Sequence, residues 1–382
     1  MYRIFYAEKD ATIYENHPNR NTGIDQILEL IKIASGSKVD GVIKEKQYNT
    51  RILLTFGKEI TALSESIVAG DIPALNNNNV TSASVFLNLH AADASDLLHD
   101  YDVKAYPISQ SWINGNGYAT SQPEQTNGVS WDFRNYKDGL KWHTGSYSSG
   151  TSPGATRTTG GGSWYTGSGY EASQSFSNES PDLRMNVTDI VSFWLKSGSA
   201  VNHGFMIKRP KAQETNSDIL GSLKFFGRES HTIYVPRLEV CWDNVVNTDG
   251  ASTTQIASET YVPYIKNIKA EYRRSDIARF RIGVRPEFPT KTYTTASFYM
   301  TTDRLPNSSS YTIYDSITND IILKDEPIWG NSKTKIAYDA NGSYFDLRMD
   351  SFMPERYYKI QLKCIRTNDT QTFDDFYFKV VN

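Results

Sequence analysis

Asp10-Ala11-Thr12-Ile13-Tyr14-Glu15, the turn Asn19-Arg20-Asn21-Thr22-Gly23 and the apolar run from Ile27 to Ile33 form the stretch whose reading decides the fold. The first segment is a short run of β-branched and aromatic residues closed by polar turn formers, the pattern of a strand and its exit. The second run is apolar except at Glu29 and Lys32, so it reads as a strand buried on both faces for part of its length. The compact run Ile52 to Phe56 follows, and Val80 to His90 alternates with Ala83, Val85, Leu87 and Leu89 on one face. Val103 to Ile108 adds a strand whose Pro107 marks an edge or an end. Strands at this density predict an all-β protein, with a large jelly-roll-like β-sandwich first.

Composition supports that reading and excludes several functions. The chain has 382 residues, 38% of them hydrophobic, and its 13% aromatics are dominated by 24 Tyr, which suits half-buried strands. A net charge of −3 implies no bulk attraction to nucleic acid or to an anionic membrane. No apolar run reaches the ~20 residues that span a bilayer. Met1 to Tyr6 reads as a first strand and has no signal-peptide pattern, so synthesis and retention in a cytoplasm are expected. Cys241 and Cys364, placed in different domains, exclude a disulfide framework.

Farther along, Thr188, Asp189 and Gly198 bracket a helix whose Ile190, Phe193 and Trp194 share one apolar face. Leu63 to Ala69 is a short helix or a loop turn. Residues 143 to 169 hold eight Gly, six Ser and six Thr among 27 residues, a composition that cannot offset its own ordering entropy. They read as a long surface loop pinned by Trp142, Trp164 and Tyr165, and a loop of that length serves as a contact arm. Residues 1 to 243 are expected to form the first sandwich, with an insertion at about 114 to 180, and 244 to 260 a linker. Residues 261 to 382 are expected to form a smaller immunoglobulin-like sandwich from strands at Ile277–Arg285, Ser297–Thr301, Tyr311–Tyr314, Tyr344–Met349, Tyr357–Cys364 and Phe376–Val381.

Taken in order, the opening segments, Thr50-Arg51-Ile52-Leu53-Leu54-Thr55-Phe56, Asp71-Ile72-Pro73, Ser82-Ala83, Trp112, Val129-Ser130-Trp131, Thr188 with Val191 and Trp194, Asn202-His203-Gly204 and Pro236-Arg237-Leu238-Glu239-Val240-Cys241-Trp242 resemble a DNRLRE domain over about residues 8 to 243. The six-residue run that names that family does not occur here, and the 114 to 180 region is longer than its pattern. The resemblance implies a β-sandwich of the kind found on surfaces. Joined to an immunoglobulin-like sandwich and lacking an export signal, it looks like a structural component of a tailed-bacteriophage particle. Its implied partners are other virion proteins, in an oligomer on the tail, baseplate or capsid exterior.

The chemistry of single residues points the same way. The six His have no metal-ligand spacing, no nucleophile motif occurs, and Gly160-Gly161-Gly162 precedes no helix that would make it a phosphate loop. No cofactor, metal or catalytic residue is therefore expected. Trp112, Trp131, Trp142 and Trp164 are candidate stacking surfaces for a host-surface glycan, which keeps a carbohydrate-binding module as the alternative; against it stands the reading that they are core anchors. In the second domain Arg279, Arg281 and Arg285 share one face of a strand, opposite Phe280, Ile282 and Val284. They form either a solvated edge or a docking face for an acidic partner.

Overall fold

In a computed structural model the protein is described at all residues except 40–41, 77–81, 143–153, 158–159, 178–179, 197–200, 249–252, 289–302, 326–332 and 367–368, and at 33–39, 42–46 and 154–157 by its backbone alone. The chain is all-β and divides into two compact units. One comprises Phe5–Asn78 and Ser84–Glu239; the other comprises Met1–Ile4, Asn79–Ala83 and Val240–Asn382. Cys241 and Cys364 are both buried, and neither is in a disulfide.

The first unit is a jelly-roll-like sandwich. Its large sheet runs in the order Ala172–Ser177, Asp100–Pro107, Phe205–Lys208, Val42–Thr55, Ile27–Val39, Ser222–Phe226, Ala91–Ser95, with Lys9–Tyr14 also paired to Val42–Thr55. A four-stranded sheet orders Tyr2–Tyr6, Arg237–Cys241, Ser84–Leu89 and Leu183–Asn186, of which Tyr2–Ile4 and Val240–Cys241 are counted with the second unit. Side chains alternate across a strand. On Ser84–Leu89 the apolar set Val85, Leu87 and Leu89 is therefore buried together, as its pattern predicts. The continuous run Ile52, Leu53, Leu54 has no exposed member, because both faces of the large sheet are covered at this strand.

Three helices complete the unit. Helix α1 (Gly57–Val68) settles the ambiguous segment as a helix burying Ile60 and Leu63. Helix α2 (Thr188–Leu195) buries Ile190, Val191, Phe193 and Trp194. Its N-cap is Val187, which makes no side-chain capping bond; Thr188, read as the opening cap, is the first helical residue, and Asn186 Oδ1 accepts its N–H at 3.1 Å and its Oγ1–H at 2.7 Å. Helix α3 (Lys211–Thr215) is a single turn.

The second unit contains a four-stranded sheet, Tyr261–Ile265, Ile277–Pro286, Gly342–Arg348 and Ala337–Asp339. It also contains a five-stranded sheet, Glu271–Arg273, Asp369–Val381, Arg356–Arg366, Ser308–Asp315 and Ile321–Leu323. Aromatic rings from both sheets fill the space between them: Phe280 and Phe345 stack at 5.2 Å, Tyr311 and Phe345 at 4.2 Å, and Phe280 meets Phe378 at 5.8 Å. Two sheets facing across this core make the second unit a smaller β-sandwich. The expected strand at 297–301 lies outside the described residues. In the segment read as a linker, Thr248 N donates to Tyr338 O at 3.2 Å, Ile256 N donates to Arg304 O at 3.0 Å, and the Ile256 side chain is buried.

Candidate functional site

The four tryptophans singled out as glycan-stacking candidates are brought together, but inside the first unit. Trp112, Trp131, Trp142 and Trp164 are 2%, 7%, 2% and 5% exposed and share a cluster with Ala11, Ile13, Leu53, Tyr106, Ile108, Val129 and Met206. Leu53 and Met206 point away from the face that carries Ile52, Leu54, Phe205 and Ile207, so this cluster covers the second face of the large sheet. Two of the indole nitrogens are satisfied internally: Trp112 Nε1 donates to His203 O and Trp142 Nε1 to Ser130 O, each at 3.0 Å. Flat aromatic faces packed this way offer no platform for a sugar ring.

Of the segment 143 to 169, read as a surface loop pinned at its ends, residues 143–153 and 158–159 lie outside the described residues. Gly167, Ser168 and Gly169 are exposed, but Gly161, Gly162, Ser163 and Trp164 are buried core, and Gly161 N donates to Trp131 O at 2.6 Å. Gly162 is held at φ +94°, and a β-carbon there would sit 2.0 Å from Met206 Cε. The three glycines thus let the backbone lie directly on the sheet.

An ion cluster sits within this layer. Arg51 Nε and Nη2 each lie 2.9 Å from the two carboxylate oxygens of Glu214, and Arg51 Nη1 donates to Gly161 O at 2.6 Å. Lys208 Nζ is 2.7 Å from Glu214 Oε2. The guanidinium also stacks 4.8 Å from the Trp131 ring and 5.0 Å from the Trp164 ring. Burial by itself raises the Glu214 carboxyl, but the charges and hydrogen bonds of Arg51 and Lys208 outweigh it and hold the group below its ordinary value. Burial lowers the Lys208 ammonium to about 8 against the opposing pull of Glu214. With every carboxylate oxygen engaged, the cluster is closed and presents no acid or base to a substrate.

In the second unit the strand Ile277–Pro286 buries Ala278, Phe280, Ile282 and Val284, and the arginines lie on its other face. Two of the three are paired with carboxylates. Arg279 is bidentate to Asp346 at 2.8 and 3.0 Å, and Arg281 Nη1 lies 2.5 Å from Asp339 Oδ1. Both guanidinium groups also rest on the Tyr344 ring, at 4.3 and 4.8 Å. Arg285 Nη1 donates to Pro286 O, at 3.3 Å. An open cavity of about 580 Å³ lies among Gln255, Ala257, Asn307, Ser308 and Arg366. Its single charged group, Arg366, is directed to Ile256 O at 2.7 Å. Among the described residues no group of three or more His, Cys, Asp or Glu could hold a metal ion, and no helix is long and apolar enough to cross a membrane.

A hairpin ribbon is the feature that the sequence reading missed. The strands Ile27–Val39 and Val42–Thr55 pair from Lys32↔Asn49 to Val39↔Val42. Ser222–Phe226 pairs the first strand only over Ile27–Ile31, while Phe205–Lys208 and Lys9–Tyr14 pair the second only within Thr50–Thr55. Residues 32–39 and 42–49 therefore continue beyond the sheet as a ribbon whose strands, among the described pairings, have only each other as strand partners, while at its base Lys32 N donates to Gly221 O and Asn49 O accepts Glu15 N. Its base is tied down: Glu15 Oε2 accepts Asn49 N at 2.9 Å and Asn49 Nδ2 at 3.0 Å, and Gln47 Nε2 donates to Ser217 O. The available signal was Asp40-Gly41, a hairpin dipeptide, between Val39 and Val42.

Comparison of the chain with protein-family models, with curated proteins and with solved structures returned no match.

Proposed function

We propose that this chain is a non-enzymatic structural component of a bacteriophage particle that works through protein–protein interfaces, with the 32–49 ribbon as its principal contact arm. The observation that carries the reading is the ribbon. A two-stranded hairpin standing alone is marginal in water, and its open edges offer unpaired backbone groups to another chain. A strand or a packed surface from a neighbouring virion protein satisfies both needs. The internal use of the charged and aromatic groups supports the non-enzymatic half of the proposal. Glu214 is closed by two cations, Asp346 and Asp339 by arginines, and the four tryptophans by the core. Placement in a phage particle rests on the sandwich architecture and the resemblance described above.

The test is mass spectrometry of particles banded on a density gradient, with the wild-type chain and with a variant in which residues 34 to 47 are replaced by an Asn-Gly turn. The expected result is wild-type chain in the particle band and the shortened chain, still folded, left in the soluble fraction. A wild-type chain absent from purified particles overturns the placement. Equal incorporation of both chains overturns the role of the arm.

A further inference from the structure

Ser111 and Trp112 gather three basic side chains from separate segments of the first unit. Lys9, at the start of the strand Lys9–Tyr14, donates from Nζ to Trp112 O at 3.0 Å and lies 4.8 Å from the centre of the Trp112 ring. The same ring donates from Nε1 to His203 O at 3.0 Å and so fixes His203 beside it. Arg134, on the strand Phe133–Asn135, donates from Nη1 to Ser111 O at 3.1 Å and to Ser111 Oγ at 3.2 Å. Ser111 is exposed, and Lys9, Arg134 and His203 are each partly exposed, so solvent reaches the cluster.

Like charges held together cost free energy unless water or an anion offsets them. Among the described residues neither Lys9 nor Arg134 is paired with a carboxylate. Glu8, whose charge does reach Lys9, is turned to helix α1, where its Oε1 accepts Lys58 N at 2.5 Å. Burial and then the charges of Lys9 and Arg134 hold the His203 imidazole below its ordinary value, so both cations lie within electrostatic range of that ring. Donors also remain to be used. An ammonium has three N–H groups, and Lys9 directs one to Trp112 O. A guanidinium has five, and Arg134 Nε and Nη2 have no partner among the described residues. The Ser111 hydroxyl accepts from Arg134 and keeps its own proton to donate.

We propose that Lys9, Arg134, His203 and Ser111 form a binding site for a phosphate monoester or free inorganic phosphate. Charge and donor number select this ligand. A phosphate monoester carries about −1.5 to −2 charges at neutral pH and three acceptor oxygens. Two permanent cations, an imidazole that takes up a proton as an anion arrives, and a hydroxyl match that inventory. A carboxylate brings one charge and two oxygens, and leaves one of the cations unmet. The site does not depend on the ribbon or on the proposed place in a particle.

The experiment is isothermal titration calorimetry of the full chain, purified without phosphate, at fixed ionic strength with inorganic phosphate, glycerol 3-phosphate and acetate. The expected result is saturable binding of at least one of the two phosphates, with acetate about tenfold weaker or more, the worth of one further charge-assisted contact. Arg134→Gln and Lys9→Gln should each weaken phosphate binding by about tenfold or more, while thermal melts show both variants folded. Tighter binding of glycerol 3-phosphate assigns the site to an ester; tighter binding of inorganic phosphate assigns it to the free ion. No saturable binding of either phosphate overturns the proposal without recourse to any variant. Acetate binding as tightly as phosphate also overturns it, and makes the cluster a docking point for acidic side chains. Unchanged affinity in either variant overturns the site as assigned.

Discussion

Arg51 and Glu214, 163 positions apart, form a bidentate ion pair with both nitrogen–oxygen distances at 2.9 Å and both side chains buried. Lys208 closes the same carboxylate, and two tryptophan rings flank the guanidinium. The pair ties the strand Val42–Thr55 to helix α3 and gives the tryptophan layer its polar centre. Removing the anion leaves two buried cations without their carboxylate.

Glu214→Gln should therefore destabilise the first unit by about 3–5 kcal/mol, the usual cost of orphaning one side of a buried pair. Urea unfolding at neutral pH reads it directly. The folded-state carboxyl lies below its ordinary 4.5, so its stabilisation is complete above that value and is lost as pH falls through the lower folded-state value. The variant should lack this acid-side loss.

Asp10 behaves in the opposite sense. Burial pushes its carboxyl up to about 7, despite the Arg228 N–H that donates to it at 2.6 Å. The folded state keeps a proton that the unfolded chain gives up near 4, so stability falls as pH rises between these values. Asp10→Asn retains an acceptor for Arg228 N and removes the titration. It should match the wild type at pH 4 and exceed it at pH 8 by roughly 2–4 kcal/mol, since a tenfold change in proton affinity corresponds to about 1.4 kcal/mol. Thermal melts at the two pH values check this, and an equal effect at both would contradict it.

Gly204 has φ +97°, and a β-carbon on it would lie 2.0 Å from the Leu54 backbone oxygen. Backbone cannot swing aside as a side-chain tip can. Gly204→Ala should cost at least about 2 kcal/mol, combining the left-handed strain with displacement of the neighbouring strand. A melting temperature within a degree or so of wild type would show that the strand moves freely.

Trp164→Ala should cost about 3–5 kcal/mol, as for other large aromatic deletions in cores. Soluble oligosaccharides should leave the tryptophan emission of the wild type unchanged. A saturable spectral shift on adding a glycan would return these side chains to a binding role.

Arg279→Ala and Arg281→Ala should be mild, each within about 1 kcal/mol by equilibrium unfolding, because pairs that water reaches contribute little. Arg281 should have the larger effect, since it is 22% exposed and Arg279 49%. A large loss at Arg279 would mean that the stacked Tyr344 ring contributes more than the charge pair.

What the amino-acid sequence determined by itself is what depends on near neighbours. The period-two burial of Val85, Leu87 and Leu89, the apolar stripe of α2 and the inward Phe280, Ile282 and Val284 all follow from alternation or helical spacing, and so does the all-β class. Tertiary structure decided what becomes of residues whose partners are distant. The composition of the glycine-rich segment describes its own capacity to fold, not the Met206 and Trp131 surface on which Gly160 to Trp164 lies. A tryptophan is equally suited to a sugar face or to a core, and only the second covered face of the large sheet assigns these four to the core. The three arginines lie on the face that alternation places them on, yet Asp346 and Asp339, which pair with Arg279 and Arg281, come from strands over 50 positions away. Lys32 breaks an apolar run in the sequence, and nothing adjacent to it names the Asn216 side chain to which its ammonium donates. That juxtaposition exists only once two segments 184 positions apart are packed against each other, because burial and contact between distant groups are properties of the assembled sheet and not of local composition.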